Sequence, residues 1–323
     1  MNKTLKLTIG IVLSFIGLYY AFWNLDVSQL WIHLQTVNPL YILAVFVLFI
    51  YSVHVRAKRW QALLKPLIEI PISPLFSATI IGYFGNSVLP FRFGELLRGY
   101  ALSKECPLKV SSIMGTIILD RILDFAGLLI FSAFFLFIYP MEQWFKTGLI
   151  IIAFFLTIAF SIMYLLSQKM QVLEKYINEL VSESKPLLKK IFAILFNVVN
   201  GFSPLGKSRN KGIISFYTVY LWIIYFACVY LIVIAVGIEL NWQQVGLLLI
   251  ATTLSISVPA APGYVGTYHA VVIYMMVSVF DMNLAIAQSL AIILHAVGLI
   301  PFVIVGAWFF AKSSVQLAEI KNV

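Results

Sequence analysis

Asp120, Arg121 and Asp124 stand in the middle of an otherwise apolar run from 110 to 139. Helical residues four apart share a face and residues three apart can pair, so Asp120 and Asp124 project together and Arg121 reaches Asp124. Ten helical residues rise about 15 Å, which brings Asp120 near the middle of a bilayer when Val110 lies at its edge. An ionised side chain at that depth costs roughly 2.5–3.5 kcal/mol, so the three require partners or water. Charges so situated serve a substrate or proton path, or form an ion pair that fastens one helix to another. His295 lies at comparable depth in the run 284–311.

A second set lies in GYFGNSVLPFRFGELLRGY, from Gly82 to Tyr100, where Asn86, Pro90, Arg92, Gly94, Glu95 and Arg98 break an apolar stretch. Arginine in a shaped turn can grip a phosphate through two parallel N–H groups. A basic loop at the membrane face accounts for the same residues by the positive-inside rule. A similar break, VPAAPGYVGTYHA, runs from Val258 to Ala270 and carries Pro262, Gly263 and Gly266, with no charge before His269. No Walker lysine follows it. Its better use is to expose backbone amides at the start of a half-helix, which favours anions. His269 and His295 lack the spacing of a metal site and are read as pathway residues or satisfied interior histidines. Neither metal nor cofactor is expected, and no nucleophile–base constellation points to an enzyme.

The elements that must position these residues are helices in a membrane. Hydrophobic residues make up 62% of the chain and charged ones 11%, outside the range of water-soluble domains. Full-length apolar runs occupy 5–25, 39–55, 110–139, 145–167, 212–236 and 284–311, and weaker ones, 74–90 and 243–258, end at the two breaks. Bulky Tyr19, Tyr20, Phe22 and Trp23 oppose signal cleavage, so 5–25 is read as an uncleaved first span. The lysine-rich segment 168–211 has the spacing of two surface-lying amphipathic helices split near Pro186. Tyrosines and tryptophans near span ends, Trp60 among them, are read as interfacial anchors. Cys106 and Cys228 form no framework.

With a cytoplasmic amino terminus, and with both weak segments entering and returning on the same side, all 22 lysines and arginines except Lys146 and Arg121 fall to the cytoplasm. The net charge of +9 therefore suits membrane topology, with no nucleic acid called for. The expected fold is an all-α integral membrane protein. It has about six transmembrane helices plus two re-entrant helical hairpins, with cytoplasmic amphipathic helices and both termini cytoplasmic. The chain forms a single domain. It divides into a first span and outer loop (1–38), a first repeat (39–167), the amphipathic segment (168–211), a second repeat (212–311) and a tail (312–323). Pro90-x-x-x-Gly94 matches Pro262-x-x-x-Gly266, and TIILDRI at 116–122 matches AIILHAV at 291–297. An odd number of crossings separates them, which makes the repeat inverted, an arrangement used by secondary transporters.

N-x-x-x-P-x-R-x-G-E-x-x-R at 86–98, L-D-R at 119–121 and P-x-x-P-G-x-x-G at 259–266 together resemble the lysylphosphatidylglycerol synthase transmembrane-region family. This is the flippase-like membrane part of the bacterial multiple peptide resistance factor, also found as stand-alone proteins. The resemblance implies a multi-pass inner-membrane protein that moves a polar lipid between leaflets. It carries Asn86, Pro90, Arg92, Gly94, Glu95, Arg98, Asp120, Arg121, Pro262, Gly263 and Gly266 as matching positions. Tyr264 and His269 stand where the family often has a glycine and an acid, and His295 where arginine is common. Too few residues follow Lys312 for the soluble aminoacyl-transfer domain, so no synthase activity is expected. The expected partner is a membrane phospholipid or polyprenyl-phosphate lipid. A homo-oligomer and a separate lipid-modifying enzyme are further partners the reading allows. A membrane enzyme acting on a lipid head group and a non-transporting membrane subunit remain the alternatives.

Overall fold

The computed structural model describes residues 12, 15–23, 25–89, 93–138, scattered positions between 143 and 161, 210–257 and 262–315. Among these every regular element is helical. Asp26 caps α1 (Val27–Gln35) by accepting from the amides of Ser28 and Gln29. Asn38 accepts from the Leu40 amide to start α2 (Pro39–Leu64), with Pro39 in the first turn, where its missing N–H costs nothing. Next come α3 (Ile72–Val88), α4 (Gly94–Ser103) and α5 (Val110–Ile138). The second half repeats these proportions with α6 (Lys211–Val236) and α7 (Trp242–Ser257). A 3₁₀ turn at Pro262–Tyr264 then leads to α8 (Thr267–Tyr274), which runs into a π-helical segment, and to α9 (Leu284–Lys312). Gly237, at φ 73°, ends α6 in the left-handed conformation usual for a helix stop.

Among the described residues, three helices are long and apolar enough to cross a bilayer: α2, α6 and α9. They carry the expected spans 39–55, 212–236 and 284–311. The 29 residues of α5 have the length to cross but hold three charges at their centre. Much of the expected span 145–167, the segment 168–211 up to Arg209, Pro90, Arg92, Pro259 and the start of the first span (5–11) fall outside the described residues. On α2 the helix continues to Leu64, past the boundary expected at residue 55.

The weak segments are full helices, α3 and α7, and each folds back on the short helix that follows it. In the first hairpin, a Cβ on Gly94 would collide with the Gly82 carbonyl and the Asn86 amide, so only glycine lets α3 and α4 approach this closely. Across the halves, α2 packs on α6 and α3 on α9, while α7 packs on α5. The Asn38 amide donates to the Ala235 carbonyl at 2.9 Å, joining the start of α2 to the end of α6, so the two run antiparallel.

Among the described residues two apolar cores result. One gathers Cys228, Val233, Leu248 and Leu290 from α6, α7 and α9, together with Val55 of α2 and Leu128 of α5. The other gathers Trp60 and Leu63 of α2, Leu75 of α3, Leu97 of α4 and Ile117 and Leu119 of α5. Where one core gives way to the other along α2 and α5, the charged residues sit. On the outside, Leu40, Leu43 and Val47 of α2, Ile213, Phe216 and Ile223 of α6, and Ile300 and Ile304 of α9 are exposed at helical spacing. An apolar surface of this extent belongs against acyl chains.

Candidate functional site

Asp120 exposes 0% of its side chain and is held by three guanidinium groups. Arg59 Nε donates to Oδ1 at 2.9 Å, while Arg56 Nη1 and Arg98 Nη1 donate to Oδ2 at 3.2 and 2.9 Å. One turn on, Asp124 Oδ1 accepts from Arg59 Nη2 at 2.6 Å. Its Oδ2 accepts from Arg56 Nη1 at 2.7 Å and from Arg121 Nη1 at 3.1 Å. Arg121 turns its other nitrogen to Glu95 Oε1, 2.6 Å away, which also accepts from Asn86 Nδ2 at 3.2 Å. Thus Asn86, Glu95, Arg98, Asp120, Arg121 and Asp124 converge, brought together by the α3–α4 hairpin and the middle of α5.

Arg56 and Arg59 are the residues the sequence reading missed. Counted with the cytoplasmic basic residues, they are instead buried, at 3% and 0% exposure, and carry most of the bonds to the aspartates. They are three apart on one face of α2, matching the four-residue spacing of their partners on α5. The usable signal was the apolar pattern continuing through Trp60, Leu63 and Leu64 beyond them. Trp60 likewise is no interfacial anchor. It is fully buried, donates from Nε1 to Thr116 at 2.9 Å, and lies 3.9 Å under the Arg98 guanidinium.

Beside this cluster opens a cavity of about 270 Å³. Arg56, Arg121 and Asp124 form its charged wall, and Tyr225, whose hydroxyl accepts from Arg56 Nη2 at 3.0 Å, stands next to them. Asn86 and Ser87 from the first hairpin and Ser257, Gly263 and Tyr264 from the second line it as well. The end of α3 and the turn at Gly263 thus meet at one space. Gly263 adopts φ 67°, and a Cβ there would lie 3.3 Å from the Ser87 carbonyl. His295 lines the same cavity, and its Nε2 lies 2.6 Å from the Gly263 carbonyl, which fixes that nitrogen as the protonated one.

Pro262 is exposed at the start of the turn and does not line the cavity. Gly266 and His269 are buried behind the tip: Gly17 packs on the Gly266 backbone, and His269 packs edge-on against Phe22. The His269 and His295 rings are 4.6 Å apart, so His269 borders the site only through His295. No cluster of three metal-ligating side chains occurs among the described residues.

This is an all-helical membrane protein in which a buried network of ionised side chains opens on a cavity between two helical hairpins. The family described as the lysylphosphatidylglycerol synthase TM region matches residues 7–306, and the chain belongs to it. It is similar to a UPF0104 membrane protein of Pyrococcus horikoshii, 24% identical over 84% of this chain and 85% of the relative. A UPF0104 membrane protein of Methanothermobacter thermautotrophicus is 23% identical over 74% of this chain and 76% of the relative. A third, from Methanocaldococcus jannaschii, is 27% identical over 41% of this chain, and the match spans only 40% of that relative's length. No solved structure matches the chain.

Proposed function

We propose that the protein moves a phosphate-bearing lipid between leaflets, with the head group passing through the cavity and the acyl chains remaining in the bilayer. The observation that carries this reading is a charged wall of Arg56, Arg121 and Asp124 facing a space of about 270 Å³ inside otherwise apolar helices. Ligand pockets usually measure about 300–1,000 Å³, so the space suits a head group and not a whole lipid. Ionised groups away from water are retained where they serve a path, and irregular backbone such as the two tips is tolerated only beside protein or a wet cavity.

In this reading both hairpins are re-entrant and the halves form an inverted repeat that rocks about the cavity. Paired element lengths support it: 26 residues for α2 and for α6, and 29 for α5 and for α9. So does the crossed packing of α3 on α9 and of α7 on α5. The chain sits in the plasma membrane with both termini cytoplasmic.

A structural role for part of the network has its own support, since Arg59 is wholly enclosed and spends its donors on Asp120, Asp124 and Thr218. We therefore assign fastening to Arg59 and lipid contact to Arg56 and Arg121. The test is lipid scrambling in liposomes holding the purified protein. Arg121→Ala and Glu95→Ala are expected to abolish movement while the protein stays folded, and normal scrambling by both would remove the reading. Lipid mass spectrometry separates it from an enzyme, which would change lipid chemistry as well as leaflet distribution.

A further inference from the structure

Arg121 and Glu95 meet at one point where their shapes allow two parallel bonds. Arg121 Nη2 lies 2.6 Å from Glu95 Oε1. Arg121 Nε and Glu95 Oε2, the atoms that would make the second bond, are both buried without a hydrogen-bond partner. The pair is also an open one: its side chains are 22% and 17% exposed, against 1% and 0% for Arg98 and Asp120.

This pair joins the first hairpin to α5, as Arg98 and Asp120 do one helical turn further along α4. At the end of the hairpin, Gly94 packs on the Gly82 carbonyl and the Asn86 amide, and Asn86 Nδ2 donates to Glu95 Oε1 at 3.2 Å. The end of α3 and the first turn of α4 are therefore one unit. No side chain caps that first turn, so the grip of Arg121 on Glu95 is what ties the unit to α5 there.

Of the four side chains in these two pairs, Arg121 alone lines the cavity. An anion entering the cavity meets the guanidinium that Glu95 depends on. A guanidinium offers two parallel N–H groups along two edges, Nε with Nη2 and Nη1 with Nη2, and both include the nitrogen now on Glu95. Two anions at one guanidinium also repel each other. Displaced, Glu95 keeps Asn86, a partner on its own hairpin, whereas Asp124 keeps Arg56 and Arg59.

We propose that Glu95 and Arg121 form a latch opened by the phosphate of a lipid head group. The phosphate takes the guanidinium, and the freed end of the first hairpin parts from α5 and from the turn at Gly263. Arg98 and Asp120 stay paired, with Arg98 stacked on Trp60, and serve as the pivot. The inference rests on the lipid-moving reading for the phosphate and on the half-made pair for the movement.

Hydrogen exchange in maltoside micelles, which carry no phosphate, tests it. The reporters are the amides of Leu89, bonded to the Gly85 carbonyl at the end of α3, and of Leu97, bonded to the Phe93 carbonyl at the start of α4. Phosphatidylglycerol is expected to speed their exchange at least about threefold, and diacylglycerol with the same acyl chains to leave it unchanged. Glu95→Gln is expected to exchange fast without lipid and to gain nothing from it. Slowed or unchanged exchange with phosphatidylglycerol overturns the latch, as does a Glu95→Gln protein that exchanges like the unmodified one. An equal response to diacylglycerol overturns the role of the phosphate, and an equal response to free glycerol phosphate overturns the lipid as its source. Scrambling without opening removes the latch alone, and opening without scrambling removes the transport reading and leaves the latch.

Discussion

Arg59 and Asp120 lie 61 residues apart in sequence, yet Arg59 Nε stands 2.9 Å from Asp120 Oδ1 and neither side chain exposes any surface. The same guanidinium reaches Asp124, so one residue of α2 holds two turns of α5 in register.

Removing it takes one guanidinium from each of two buried carboxylates. Arg59→Ala is expected to destabilise the protein by about 3–5 kcal/mol, the usual loss when one partner of a buried pair is deleted. Arg59→Lys is expected to recover little, since a single ammonium cannot serve both carboxylates as the planar fork does. Thermal unfolding of the purified protein in detergent measures both. An unchanged Tm for Arg59→Ala would refute the fastening role.

Gly94→Ala tests the first hairpin. The added methyl meets the Gly82 carbonyl and the Asn86 amide, backbone groups that cannot swing away. A loss of about 1–3 kcal/mol is expected from overpacking. Gly212→Ala, where nothing lies within 4 Å of the new atom, is expected to leave the melting curve in place.

His295 tests the second tip. His295→Phe keeps a ring but loses the donor to the Gly263 carbonyl. A buried carbonyl left unsatisfied costs about 1–3 kcal/mol, and lipid movement is expected to fall with it. His295→Gln, which retains an N–H, is expected to keep more of both. Identical scrambling rates for the two variants would show that the bond does not hold the tip.

Much of this site was legible from residue type and spacing. Asp120, Arg121 and Asp124 stood out because charge inside a long apolar run is costly and persists only where it is paired or wetted. The glycine and proline punctuation marked where α3 gives way to α4 and where the turn at Gly263 falls. Arg56 and Arg59 were hidden because basic residues at the end of an apolar run look like a membrane flank. Only the fold brings Asp120 and Asp124 to them across more than 60 residues of chain. Trp60 was misread for the same reason, as an aromatic near a presumed span end that is in fact a buried platform for Arg98. Gly266 and His269 share a motif with Gly263, but the turn directs them toward Gly17 and Phe22 instead of the cavity.

Passage of the head group through the cavity is tested most directly by cross-linking. Phosphatidylglycerol bearing a photoreactive head group is illuminated in membranes holding the protein, and adducts are mapped by peptide mass spectrometry. Adducts on cavity residues such as Tyr225, Tyr264 and Ser257, lost in Arg121→Ala, are the predicted result. Adducts confined to outward residues such as Phe216 and Ile304 would contradict it.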